Sequence, residues 1–192
     1  MEQVRSFIAI KLPDELKVEL SELEARLKLS NLSSVKWVDP YSIHLTLKFL
    51  GSIAVDKIGE IVKVMEDAAE GITSFHLELG ELGVFPNLKR VQVVWVGLKG
   101  DVDRLGYLQQ RIESGLIPLG FAPESRKFTA HLTLARLRNQ ASSSERQRFG
   151  ELIANTGFKA IHGIEVDSIN LMKSQLTREG AIYSRIGSVA LK

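Results

Sequence analysis

At 192 residues, with 44% hydrophobic and 25% charged side chains, the chain has the composition of a folded protein of about one domain, not of a disordered or fibrous one. The absence of cysteine excludes disulfides, thiolate nucleophiles and thiol-ligated zinc or iron. A net charge of +2 is compatible with an anionic ligand but far from the footprint of a protein that coats nucleic acid. No apolar run approaches a membrane span, and the first, Phe7 to Ile10, stops at Lys11, too short for a secretion signal; the expected compartment is the cytoplasm.

Val4 to Ile10 reads as a buried strand, and Pro13-Asp14-Glu15 starts a helix whose Leu16, Leu20, Leu23 and Leu27 form one apolar stripe. Asn31 to Ser34 breaks it. A short strand over Val35 to Val38, a turn at Asp39-Pro40 and a strand from Ile43 to Phe49, closed by Gly51, come next. A second helix presents Ile58, Ile61, Val62 and Met65. Phe75, Leu77 and Leu79 alternate with His76 and Glu78 as a half-buried strand, then a loop leads through Phe85-Pro86-Asn87 to a strand over Val91 to Leu98. Gly100-Asp101 opens a helix carrying Leu105, Leu108 and Ile112, and a strand follows over Thr129 to Arg136. Ser142 to Ser144 cap a helix bearing Phe149, Leu152 and Ile153, and the tail from Ile161 to Val189 reads as two strands around Thr177-Arg178-Glu179-Gly180.

Two of these strands carry the same tetrapeptide, His44-Leu45-Thr46-Leu47 and His131-Leu132-Thr133-Leu134, which together hold half of the chain's four histidines. The flanks agree too: Tyr41-Ser42-Ile43 precedes one copy and Phe128-Thr129-Ala130 the other, each an aromatic, a hydroxyl and an apolar residue. The same spacing sets Ile8 against Trp95, so both halves repeat strand, helix, motif strand. In a strand, alternate side chains share a face. Ser42, His44, Thr46 and Lys48 then stand on one face of the first motif strand and Thr129, His131 and Thr133 on one face of the second, with the leucines opposite. Arg136 reaches that face only if the strand bends or ends.

Paired imidazoles can serve as acid and base near neutral pH, because their ordinary pKa of about 6.5 lets one give and the other take a proton. Threonine hydroxyls beside them can donate to non-bridging phosphate oxygens, and Lys48 or Arg136 adds positive charge. This constellation suits phosphoryl transfer without a metal.

On these residues the chain resembles the 2H phosphoesterases, named for two His-x-Thr-x motifs, and within them the RNA 2′,3′-cyclic phosphodiesterases of the LigT or ThpR type. The likeness extends over Arg5 to Ile10, Trp37-Val38, His44 through Gly51, Gly83 to Pro86, Val94 to Gly97, Gly120-Phe121, Phe128 through Arg136 and Gly180 to Tyr183. What the resemblance implies is an α+β fold with bilobal internal duplication, residues 1–192 forming one unit of two pseudo-symmetric lobes. Two antiparallel sheets with outer helices would face across a central cleft, with motif strands near 43–49 and 129–136. It implies metal-independent hydrolysis of RNA 2′,3′-cyclic phosphate ends to 2′-phosphates, in some members with reversible 2′,5′ ligation, and no cofactor. His44 is then the proton donor, His131 the acceptor, and Thr46 and Thr133 hold phosphate oxygens. Arg136 matches the arginine that follows the second motif and becomes a substrate contact. Lys48, Phe7 and Phe49 are further candidates, the two phenylalanines for stacking on a nucleobase, although core packing is the expected role of both.

His76 and His162 are expected at the surface and outside the site. The competing enzyme reading is a zinc hydrolase, against which stands the lack of a carboxylate beside either motif on its polar face. The alternative from another class is a noncatalytic binder of RNA ends or nucleotides. The expected partner is an RNA or oligonucleotide with a 2′,3′-cyclic phosphate end, met by a monomer that supplies both halves of its own cleft.

Overall fold

The structure, a computed structural model, describes residues 2–177 and 180–192. In chain order it has β1 (Gln3–Lys11), α1 (Asp14–Lys28), β2 (Val35–Trp37), β3 (His44–Ala54), α2 (Ile58–Ala69), β4 (Phe75–Phe85) and β5 (Val93–Gly100). Then follow α3 (Val102–Leu116), β6 (His131–Leu137), α4 (Ser143–Ala154), β7 (Ile164–Val166), β8 (Ser168–Leu176) and β9 (Ala181–Ala190). Two antiparallel sheets result, one ordered β3-β1-β8-β9 and the other β2-β6-β5-β4-β7. This is the two-lobed α+β architecture the sequence implied. Among the described residues no helix is long and apolar enough to cross a membrane.

Local chemistry explains the element ends. Pro13 is extended at the start of α1, with Asp14 and Glu15 complementing the positive end of the helix. Asn31 beyond the C-terminus takes a left-handed φ of 52°, which its short polar side chain tolerates. Leu16, Leu20, Leu23 and Leu27 are all buried, each contributing roughly 1.5–3 kcal/mol by leaving water. Ser142 and Glu145 form a reciprocal capping box at the start of α4.

Three boundaries differ from the sequence expectation. Gly51, at φ 71°, does not close β3, which continues to Ala54 opposite Gln3. β4 runs on past Leu79 to Phe85, because the two residues after Leu79 are absorbed as an irregularity in its pairing with β5. The tail holds three strands, the first of which, β7, joins β4 in the other sheet. Of the turn expected after β8, Arg178 and Glu179 lie outside the described residues.

The repeat in sequence is not the lobe in space. The first sheet takes β1 and β3 from the first half of the chain and β8 and β9 from the second; the other takes β2 and β4 from the first half and β5, β6 and β7 from the second. The helices are exchanged as well. α3 packs on α2 and β3, while α1 is tied to the segment after α4, where Arg26 donates to the Gly157 carbonyl and Glu19 accepts from the Ile161 and His162 amides. One hydrophobic cluster spans both sheets, from Ile8 and Leu45 to Leu132 and Val166.

Candidate active site

Leu45, Leu47, Leu132 and Leu134 are each at most 3% exposed, which turns His44, Thr46, His131 and Thr133 to the other side of their strands. β3 and β6 belong to different sheets, yet Cα atoms of the two strands come within 8 Å, so the fold brings the two motif strands together.

Both motif strands bulge at the same place. Along β3, Thr46 pairs with Ala9 and Lys48 with Ile8, leaving Leu47 as an extra residue; along β6, Thr133 pairs with Trp95 and Ala135 with Val94, leaving Leu134 extra. An extra residue reverses side-chain parity beyond it. Lys48 therefore leaves the histidine face, against the sequence expectation, and is only 8% exposed, its ammonium bonded to Glu113 at 2.6 Å and to the Ala122 carbonyl at 2.9 Å. Phe49 moves onto the histidine face and is 67% exposed, so the core role expected for it is overturned. The same reversal carries Arg136, exposed, onto the face of His131 and Thr133, where it lines a hollow of about 310 Å³ with Gln92 and Asn139. The register also corrects the match of Ile8 with Trp95: the residue that pairs with the motif threonine is Ala9 in one half and Trp95 in the other.

Each imidazole is held by its own strand. His44 Nδ1 lies 2.9 Å from the Ser42 carbonyl and His131 Nδ1 2.6 Å from the Thr129 carbonyl, in both cases two residues back. A carbonyl only accepts, so both rings carry the proton on Nδ1 and leave Nε2 for chemistry. The turn behind His44 is itself fixed, because the Asp39 carboxylate accepts from the Tyr41 amide and the Ser42 hydroxyl.

The ring surroundings are not equivalent. Phe7, 3% exposed, stacks on His44 with centroids 4.5 Å apart, and Tyr183 meets His44 edge-on at 5.0 Å. Phe7 is thus a support for the imidazole and not an open platform for a base. Burial holds the His44 pKa below its ordinary 6.5, opposed in part by the Ser42 bond. His131 has Phe85 edge-on at 5.2 Å and Trp95 at 6.1 Å. Trp95 fits because its neighbour is Gly83, where a Cβ would stand 2.3 Å from the indole.

Sequence reasoning missed Tyr183, Phe85, Trp95 and Glu113. The first three lie in the flanks that carried the resemblance, but only the sheet order shows which imidazole each one touches. His76 and His162 are half exposed, beside Glu165 and Glu19 respectively. Among the described residues no group of three or more His, Asp or Glu side chains is placed to hold a metal ion.

Comparison with known proteins identifies the family. Residues 10–95 and 96–183 each match the family model described as LigT like phosphoesterase, and the chain belongs to that family. A relative from Methanothermobacter thermautotrophicus named RNA 2′,3′-cyclic phosphodiesterase is 31% identical, covering 95% of this chain and 96% of its own. One from Aeropyrum pernix, of the same name, is 34% identical over 81% of this chain and 85% of its own. Among solved structures, Escherichia coli LigT complexed with 3′-AMP superposes with a TM-score of 0.78 at 23% identity, covering 99% of both chains, which shows a shared fold.

Proposed function

We propose that this protein hydrolyses the 2′,3′-cyclic phosphate at RNA ends to a 2′-phosphate without a metal ion. The observation that carries the reading is the matched hold on the two imidazoles, each fixed through Nδ1 by the carbonyl two residues back, with Nε2 left to exchange protons. Relatives bearing the name RNA 2′,3′-cyclic phosphodiesterase over nearly the whole length support the substrate.

In this scheme His131 Nε2 takes a proton from water as the oxygen attacks phosphorus, and His44 Nε2 gives a proton to the departing 3′ oxygen. Thr46 and Thr133 donate to the non-bridging oxygens, where charge gathers in the transition state. Arg136 adds a fixed cation, and Phe49 offers its exposed ring to the terminal base. With an RNA 5′-hydroxyl in place of water and the roles unchanged, the same pair supports 2′,5′ joining, and the roles exchange when that linkage is cleaved back to the cyclic phosphate.

The test is an oligonucleotide ending in a 2′,3′-cyclic phosphate, incubated in the presence of a chelator. A 2′-phosphate product is expected, with His44→Ala and His131→Ala each lowering kcat by about 10²–10⁴-fold. A 3′-phosphate product, chelator-sensitive turnover or binding without turnover overturns the reading, the last in favour of a noncatalytic binder.

A further inference from the structure

The exposed side of the four-stranded sheet continues outward from His44. Phe49 pairs with Phe7, Phe7 with Met172 and Met172 with Arg185, so one row across β3, β1, β8 and β9 runs from the exposed phenyl ring to an exposed guanidinium. Arg5, two residues before Phe7, shares that face and pairs with Ser52, while Lys11 pairs with His44. Arg5, Lys11 and Arg185 are exposed, and no hydrogen bond or ion pair engages them among the described residues.

The chain has 23 acidic residues, yet among the described residues of these strands none stands on this face; its other polar members include Gln3, Ser52, Ser168, Asn170, Ser174, Tyr183 and Ser188. The other sheet differs. At its β4–β7 edge Glu78 and Glu165 are exposed, the latter beside His76. That sheet mixes signs, since Lys36, Lys99 and Arg136 are exposed there as well, whereas the face of the four-stranded sheet carries cations without acids, together with the exposed aromatic ring. A face with unpaired cations and an exposed aromatic ring suits a single strand whose bases are unstacked and whose phosphates need neutralising.

We propose that this face is the track for the RNA strand leading to the reactive end. Arg5 and Arg185 hold phosphates upstream of the terminal nucleotide, whose cyclic phosphate lies at the histidines and whose base lies on Phe49. The inference rests on the reaction proposed above and adds that a single-stranded oligonucleotide, not a cyclic mononucleotide, is the substrate the surface is built for.

The experiment compares kcat/KM on a nucleoside 2′,3′-cyclic monophosphate and on a single-stranded RNA with the same terminal nucleotide, at low and moderate salt. The proteins are the wild type, Arg5→Gln/Arg185→Gln and, as a control for lost surface charge, Lys159→Gln. The wild type prefers the oligonucleotide, and salt weakens that preference. The double variant loses most of it through KM, keeps mononucleotide turnover within twofold, and lowers the slope of log affinity against log salt by about 1.4, the value for two phosphate contacts on a single strand. Equal losses on both substrates, or no loss on either, overturn the track. Fluorescence anisotropy with a 3′-phosphorylated RNA separates the two readings: if the wild type cleaves neither substrate the reaction is wrong, while binding that weakens only in the double variant still upholds the track and unchanged binding ends it.

Discussion

His44 is desolvated by Phe7 and Tyr183, so in the free protein its proton is lost below pH 6.5, whereas the proton donor of the proposed reaction must hold one when the bond breaks. The anionic substrate reconciles the two, because a negative charge at Nε2 favours the imidazolium and moves the pKa back up. The sign is definite: activity that depends on a protonated group falls as pH rises through its pKa. The falling limb assigned to His44 is therefore expected at lower pH in kcat/KM, which reports the free enzyme, than in kcat, which reports the complex. Coincident limbs would remove the effect of burial from the mechanism. At this scale the sequence was legible where chemistry is repeated, in the two histidines and two threonines. It misled at Lys48 and Phe49, because alternation has a period of two and says nothing of an inserted residue.

Two helices carry buried or half-buried carboxylates, and α3 holds a motif strand through one of them. Glu113 on α3 accepts from Lys48 at 2.6 Å and from the Glu124 amide at 2.6 Å, while Lys48 also donates to the Ala122 carbonyl. This joins the bulge of β3 to the loop that leads to Thr129 and His131. Removing one partner of so enclosed a pair leaves the other charge stranded, so Lys48→Met is expected to cost about 3–5 kcal/mol in urea unfolding, with Lys48→Met/Glu113→Leu recovering much of the loss. On α1, Glu24 is fully buried, with Oε1 unpartnered among the described residues and Lys28 on Oε2 at 2.9 Å. Burial pushes its pKa up from 4.5 to about 7. The unfolded chain gives up this proton first, so stability falls as pH rises through that window. Glu24→Gln should gain up to about 3 kcal/mol over the wild type above pH 7 and nothing near pH 4, read from unfolding midpoints against pH. The helices themselves were legible from their leucine spacing, but their partners were not, since an apolar stripe does not name the sheet it will cover.

Across the whole molecule, the tandem match to one family over residues 10–95 and 96–183 suggests two units laid end to end, while the strand order shows each sheet drawing on both. The duplication could be read from the repeated tetrapeptide; the exchange could not, because pairing between β1 and β8 or between β4 and β7 joins positions far apart in sequence. Neither half can satisfy its strands alone. Each expressed separately is expected to lack a cooperative thermal transition by circular dichroism, and a folded half would contradict the interleaved design.

That interleaving has a consequence at the exposed stretch from Pro86 to Arg90, between β4 and β5. Cutting the backbone there severs one peptide bond but frees neither fragment, since β1, β2 and β4 on one side of the scission remain zipped to β8, β6, β5 and β7 on the other. A protein nicked at this site should travel as one particle and keep turning over, its two pieces parting only when denaturant dissolves the shared interior.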